Sequence, residues 1–290
     1  MTAQEIAAIF ETIAPLDSGV PGDQLGFVWG NPETQVDGLA CVWCLHTDSI
    51  RCCIQRGLNM IICHEGLWLP KQDSPWYKGP NEADILPNRM RRELFDKHHL
   101  VVYRSHSNWD ALPGDGIADS SIACLRLKGL RQVSRQKFFS VQELPQPLSV
   151  QELRNEVETG LGYTGCRIFG DAEKRIRRFA FLIGGFGENQ IHMPQAAMEM
   201  GAEAIIIGEM SEFIVMSCLE MGLPVIETLH SVSEIPGIRR QAKVLAERLT
   251  GLRVEYIPSG ALSFGQEKNH NRVEPSHLEG ELRSATEPRR

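Results

Sequence analysis

The 290-residue sequence contains no run approaching the roughly 20 consecutive apolar residues that a membrane-spanning helix needs. It also lacks an excess of positive charge, since 30 Lys and Arg stand against 37 Asp and Glu for a formal net charge of −7. A surface of that sign repels phosphate chains, which disfavours nucleic acid as a partner and leaves a small molecule or another protein. Gly-Lys-Ser/Thr and a full dinucleotide fingerprint are missing, so the glycine cluster Gly184 to Gly187 reads as a tight turn rather than a phosphate cradle. No basic leader precedes an apolar stretch: MTAQEIAAIFETIAPL reads as an amphipathic helix with acids in it. The eight cysteines sit mostly inside apolar, periodic segments instead of an evenly spaced framework. That is the usage of a reducing compartment, and the expected location is cytoplasmic.

What is present is ample core material. Hydrophobic residues make up 42% of the chain, and its length suits two ordinary domains. We expect a first α/β lobe over residues 1–131, a second over 132–265, and a charged, aperiodic tail over 266–290 that is disordered. In the first lobe, apolar strands at Leu25–Gly30, Gly38–Leu45, Asn59–Cys63 and Leu100–Ser105 alternate with helices at Thr2–Leu16, Ser49–Arg56, Asn88–His98 and Ser120–Leu127. A linker rich in Pro, Trp and Lys runs from Leu69 to Pro80, and Arg89, Arg91 and Arg92 read as a solvated helix face. Gln132–Pro147 reads as an irregular strand and connector, after which Ser149 and Glu152 have the spacing of a capping box. The second lobe has strands at Arg178–Ile183, Ala204–Ile207, Leu223–Glu227 and Val254–Ile257, with helices at Met193–Met200, Ser211–Met221 and a last long one opened by Pro236-Gly237. Cys41 and Cys44 fall in an apolar strand, where core packing competes with a thiolate site and is the better reading.

The two halves echo one another. Gly57 to Glu65 aligns without gaps on Gly201 to Glu209, each a helix end, a buried strand and a carboxylate. A helix and a second strand follow in both, ending in His106-Ser107-Asn108-Trp109-Asp110 and in His230-Ser231-Val232-Ser233-Glu234, each with a His and a carboxylate four apart. Polar groups just past the ends of buried strands collect in one crevice of an α/β sheet. His64, Glu65, His106, Asp110, His230 and Glu234 therefore converge if the lobes face each other. Imidazoles with carboxylates form a ligand set for zinc, iron or manganese, and bridging carboxylates hold two ions about 3.5 to 4 Å apart. A histidine at a strand end also serves as a hydrogen-bonded structural residue, and that alternative stays open here.

Taken together, these segments resemble the Ngg-interacting-factor-three-like family (Nif-three-like, DUF thirty-four), whose bacterial members carry the name GTP cyclohydrolase 1 type 2 homologue. The resemblance runs from about Gly22 to Gly251 and rests on Asp23-Gln24-Leu25-Gly26-Phe27, His64-Glu65-Gly66-Leu67, His106-Ser107-Asn108-Trp109-Asp110, Gly114 to Asp119, Gly184 to Gly187, Ile207-Gly208-Glu209 and Leu229 to Glu234. It implies two similar α/β lobes with mixed sheets facing each other across a central metal cleft, two divalent ions (Zn, Fe or Mn), and a homo-oligomer, a hexameric ring. By position the ligands it implies are His64, Glu65, Asp110, His230 and Glu234, with His106 behind them in the pocket wall. Glu65 stands where the family has a second His, Gly66 where it has Pro, and Leu229 where it has Gly. An anion in place of an imidazole shifts the site toward harder ions.

The expected function is a metal-dependent hydrolase acting on a small nucleotide-like or phosphorylated substrate, with Glu65 and Glu209 as the carboxylates that move protons. A non-catalytic metal-binding scaffold or regulatory adaptor is the alternative, with the tail as its interaction segment.

Overall fold

Strands that are apolar on both faces must be covered on both faces, and this chain supplies helices on either side of each sheet. The computed structural model describes residues 1–69, 85–125 and 127–263. In the first sheet β2 (Gly38–Val42), β3 (Met60–Cys63) and β4 (Val101–Arg104) run parallel, with β1 (Gly26–Trp29) antiparallel to β4 at one edge. In the second, β8 (Arg175–Leu182), β10 (Ile205–Ile207) and β12 (Val225–Glu227) run parallel, with β7 (Arg167–Phe169) antiparallel to β12. The order β1-β4-β3-β2 is matched by β7-β12-β10-β8, so the echo read from sequence is a duplicated topology. Both sheets are mixed, and the fold is α/β as expected.

Side-chain alternation along the strands sorts the helices into layers. Met60 and Ile62 of β3 share one core with Ile206 of β10 and with Ala204 just before it. Between the sheets that core is filled by α1 (Ala3–Glu11), α5 (Ile117–Cys124), α6 (Val150–Leu161) and α9 (His230–Arg248). Ile61 and Cys63 face outward to α2 (Thr47–Gln55) and α3 (Leu86–Lys97), while Ile205 and Ile207 face α7 (His192–Glu199) and α8 (Glu212–Glu220). The capping box at Ser149 and Glu152 opens α6 as its spacing predicts. Among the described residues no helix is long and apolar enough to cross a membrane.

Several elements differ from the sequence reading. Residues expected to form an irregular connector pair as a hairpin of β5 (Arg131–Gln136) and β6 (Phe139–Ser149), which extends the second sheet beside β8. The last strand, β13 (Arg253–Tyr256), pairs with β2 and completes the first sheet, although it comes from the far end of the chain. Helix α9 begins at His230 and runs through Pro236 instead of starting there. Proline in a helix removes one backbone donor, but α5 packs closely here and side chains serve nearby carbonyls. Ser121 Oγ donates to the Ser233 carbonyl at 2.6 Å and Trp109 Nε1 to that of Gly237 at 3.1 Å. A Cβ on Gly237 would lie 2.7 Å from Ile117 Cα, so glycine allows that approach. Arg91 is also not solvated like Arg92 beside it: it is buried and donates to the Leu67 carbonyl at 2.8 Å. The tail 266–290 and most of the Leu69–Pro80 linker lie outside the described residues.

Candidate metal centre

The parallel strands of both sheets end at the same crevice, and the residues that follow β3, β4 and β12 meet there. His64 and Glu65 come directly after β3, where their amides continue the ladder to the carbonyls of Val42 and Trp43. Asp110 ends the short helix α4 (Ser107–Asp110) that follows β4. His230 and Glu234 are four apart on the first turns of α9, so they lie on one face of that helix. Because α9 starts ahead of Pro236, this pair is held rigidly.

The geometry forms two linked triads. His64 Nε2 lies 3.4 Å from Asp110 Oδ1 and 3.4 Å from Glu234 Oε2. His230 Nε2 lies 3.2 Å from Glu65 Oε1 and 3.3 Å from Glu234 Oε1. Glu234 thus presents one oxygen to each histidine. Potential ligand atoms of His64, Asp110 and Glu234 lie within 4.8 Å of one another, as do those of Glu65, His230 and Glu234.

The free nitrogen of each histidine is fixed by the bond its other nitrogen makes. His64 Nδ1 is 3.0 Å from the Ser105 carbonyl, which only an N–H satisfies, so Nε2 is the nitrogen left to bind a metal or a second proton. His230 Nδ1 is 3.0 Å from Glu209 Oε1, which likewise turns Nε2 inward. Trp43 Nε1 donates to Glu234 Oε2 at 2.6 Å and orients the shared carboxylate.

Three atoms decide whether the residues fit divalent ions. His64 Nε2, Glu65 Oε1 and Asp110 Oδ1 are buried and make no hydrogen bond, although each has ligand-type neighbours close by. Buried polar atoms are seldom left unmet, and lone pairs that converge without hydrogen-bond geometry suit a cation. The electrostatics agree. Burial opposes charge on His64, but Asp110 and Glu234 outweigh it and raise its pKa to about 9. His230 is raised against burial to about 12 by Glu234, Glu209 and Glu65. Burial pushes Asp110 up to about 6 despite His64, while His230 overcomes burial to hold Glu65 at about 2. Four carboxylates around two imidazoles leave surplus negative charge in a low-dielectric site, which divalent cations neutralise.

Glycine makes the room. A Cβ on Gly184, whose φ is +65°, would fall on Glu234 Oε1 and lie 2.7 Å from His230 Nε2. A Cβ on Gly208 would lie 2.8 Å from His230 Cα. The glycine cluster is not the tight turn expected: after a bend at Gly184, Gly185 and Phe186 pair in parallel with Glu209 and Met210, because small residues let these segments approach the histidine.

The sequence reading is displaced at one point. Ser105 and Thr228 amides both donate to the carbonyl that ends the neighbouring parallel strand, that of Cys63 and that of Ile207. His106 therefore corresponds to Leu229, not to His230, and the two His/carboxylate endings are one residue out of step. His106 turns its Nδ1 to Asp23 Oδ2 at 2.8 Å. Glu209 corresponds to Glu65 and reaches the site through His230. The sequence reading gave no role to Trp43 or Ser105, yet both lie just beyond buried strand ends, which is the signal that picks out His64. Cys41 is fully buried in the core, whereas Cys44 follows the end of β2 and lines the cleft.

Above the triads opens a cavity of about 650 Å³ whose walls include Trp43, Trp68, Phe186 and Arg167, with Glu65, Glu209 and His230 at its base. Such a volume suits a small organic molecule.

Comparisons with known proteins bear on the family and the fold. The family described as Duf34/NIF3 (NGG1p interacting factor 3) matches residues 1–261. A GTP cyclohydrolase 1 type 2 homolog of Clostridium perfringens is 27% identical over 265 residues, covering 89% of this chain and 96% of that protein. A hypothetical protein of Staphylococcus aureus superposes with a TM-score of 0.75 at 16% identity, over 91% of this chain and 98% of the other. A Bacillus cereus protein related to NIF3 superposes with a TM-score of 0.73 at 15% identity, over 95% and 98%. At those identities the solved structures bear on the fold alone.

Proposed function

This chain belongs to the Duf34/NIF3 (NGG1p interacting factor 3) family, and from that premise we propose that it is a metal-dependent hydrolase of a small nucleotide-like or phosphorylated substrate. The observation that carries this reading is the shared Glu234 between two histidines, beside three buried ligand atoms without hydrogen bonds. Two divalent ions, Zn, Fe or Mn, would be held by His64, Asp110 and Glu234 on one side and by Glu65, His230 and Glu234 on the other. When bound, such ions supply Lewis acidity and bring the pKa of a water toward neutrality.

The chain's own residues do the rest. Glu65 serves as a ligand, which leaves Glu209 to accept a proton. His230 holds the Glu209 carboxyl below its ordinary pKa against partial burial, so it is ionised at neutral pH. Its side chain is half exposed at the base of the cavity, within reach of a substrate. Aromatic walls at Trp43, Trp68 and Phe186 suit a planar group, and the Arg167 guanidinium at the rim suits an anionic one.

The test begins with metal content per subunit in protein purified without chelator, wild type and His230→Ala. About two ions, mostly lost in the variant, is the expected result. Metal-loaded protein is then given GTP, the substrate suggested by its relatives' name, and a panel of nucleotides and sugar phosphates. Turnover of any member supports the hydrolase reading, and metal-replete protein inert to all of them overturns it.

A second reading, a metal-binding scaffold or adaptor in a homo-oligomeric ring, draws on a separate observation. Phe213, Met216 and Leu219 on α8 are exposed large apolar residues at helical spacing, a face suited to another subunit.

A further inference from the structure

Three histidines at this crevice share one arrangement, and only two of them belong to the triads. His64 gives Nδ1 to the Ser105 carbonyl and His230 gives Nδ1 to Glu209. His106 gives Nδ1 to Asp23 Oδ2 at 2.8 Å, which leaves its Nε2 as the uncommitted ring atom.

Asp23 is itself held firmly. It accepts from Arg104 Nη1 at 2.5 Å through Oδ1, and through Oδ2 from the Ser107 hydroxyl at 2.6 Å and the Ser107 amide at 3.3 Å. A carboxylate fixed by an arginine, a hydroxyl and an amide, and holding in turn one nitrogen of an imidazole, is the outer half of a carboxylate–histidine–metal relay. The inner half is also present. Potential ligand atoms of His106, His64 and Glu65 lie within 4.8 Å of one another, and the His106 ring packs edge-on to that of His64 with centroids 5.0 Å apart.

We propose that His106 is a further metal ligand of this centre, binding through Nε2 where His64 and Glu65 meet, with Asp23 as the residue that positions it. The inference rests on the metal-centre reading above and adds a third imidazole to it.

Cobalt(II)-loaded protein tests this without reference to activity. Each ligating imidazole whose Nδ1–H is held by an acceptor gives an exchangeable, strongly shifted proton resonance beside the paramagnetic ion. Wild type should show three, and His106→Gln two, with the other two assigned by His64→Gln and His230→Gln. Asp23→Asn should weaken cobalt affinity by about 10- to 100-fold in competition with a chelator, as loss of such orienting partners does elsewhere. Thermal melting of each variant in its metal-free form checks that the fold is intact, and a variant that fails to fold is replaced by His106→Asn. Bound cobalt with two such resonances, unchanged in the His106 variants, overturns the role of His106 while leaving the centre standing. Wild-type protein that takes up no cobalt overturns both.

Discussion

The indole of Trp43, just past the end of β2, donates to the same Glu234 carboxylate that α9 places between His64 and His230. The first sheet thereby orients a group that the second half of the chain contributes. Replacing Trp43 with Phe keeps the ring and removes the donor, so zinc affinity should fall by about 10- to 100-fold while the fold survives. Chelator competition and a melting curve check both halves of the statement. Unchanged affinity would mean that the hydrogen bond does not orient the ligand.

Gly184→Ala should both destabilise the protein and empty the site. The left-handed backbone there costs alanine about 1 to 2 kcal/mol, and the added methyl collides with Glu234 and His230. Gly187→Ala is the control, because its Cβ would meet only the Gln190 side chain at 3.8 Å. Melting temperature and metal content should fall in the first variant and hold in the second.

Metal-free protein should lose stability as pH rises from about 6.5 to about 9. His64 is raised above its ordinary value of 6.5 because Asp110 and Glu234 overcome its burial, so its contribution is complete below 6.5 and is lost as pH climbs through 9. Zinc competes with the same protons, and its affinity should rise across that window with proton release. Melting of chelator-treated protein and zinc titrations in buffers of different ionisation enthalpy measure these effects. A metal-free melting temperature that climbs with pH would contradict the assignment.

The exposed face of α8 bears on assembly. Phe213→Glu combined with Met216→Glu puts charge on that stripe, and if the face joins subunits, the mass in solution should drop toward that of the single chain. Light scattering on wild type and variant decides it, and an unchanged mass removes α8 from the interface.

The buried strands and their shared crevice were legible in the sequence because apolar runs such as Met60–Cys63 and Ile205–Ile207 have no other place to go. His64, Asp110, His230 and Glu234 follow from that placement together with the family resemblance. What the sequence hid was anything set by contact between distant segments. Pro236 looked like a helix start because a proline's local preference is visible, whereas the packing of Ile117 on Gly237 that sustains α9 through it is not. Arg91 looked solvated because its carbonyl partner at Leu67 belongs to another segment. The one-residue offset between His106 and His230 shows only in the ladder, since a pattern of His and carboxylate four apart is blind to where the helix begins.

The pairing of β13 with β2, together with the packing of α9 between the sheets, fixes an order of events during synthesis. The first sheet needs its last strand and one of its covering helices from residues 230–256, which leave the ribosome only after the whole second sheet's strands have been made. Until then Leu39, Met60 and Val101 lack Ile238 and Leu245, which belong to the same core. The amino-terminal half must therefore wait, partly uncovered, while the segment between is made. A nascent chain halted before residue 230 should engage holding chaperones, and one released after residue 256 should not.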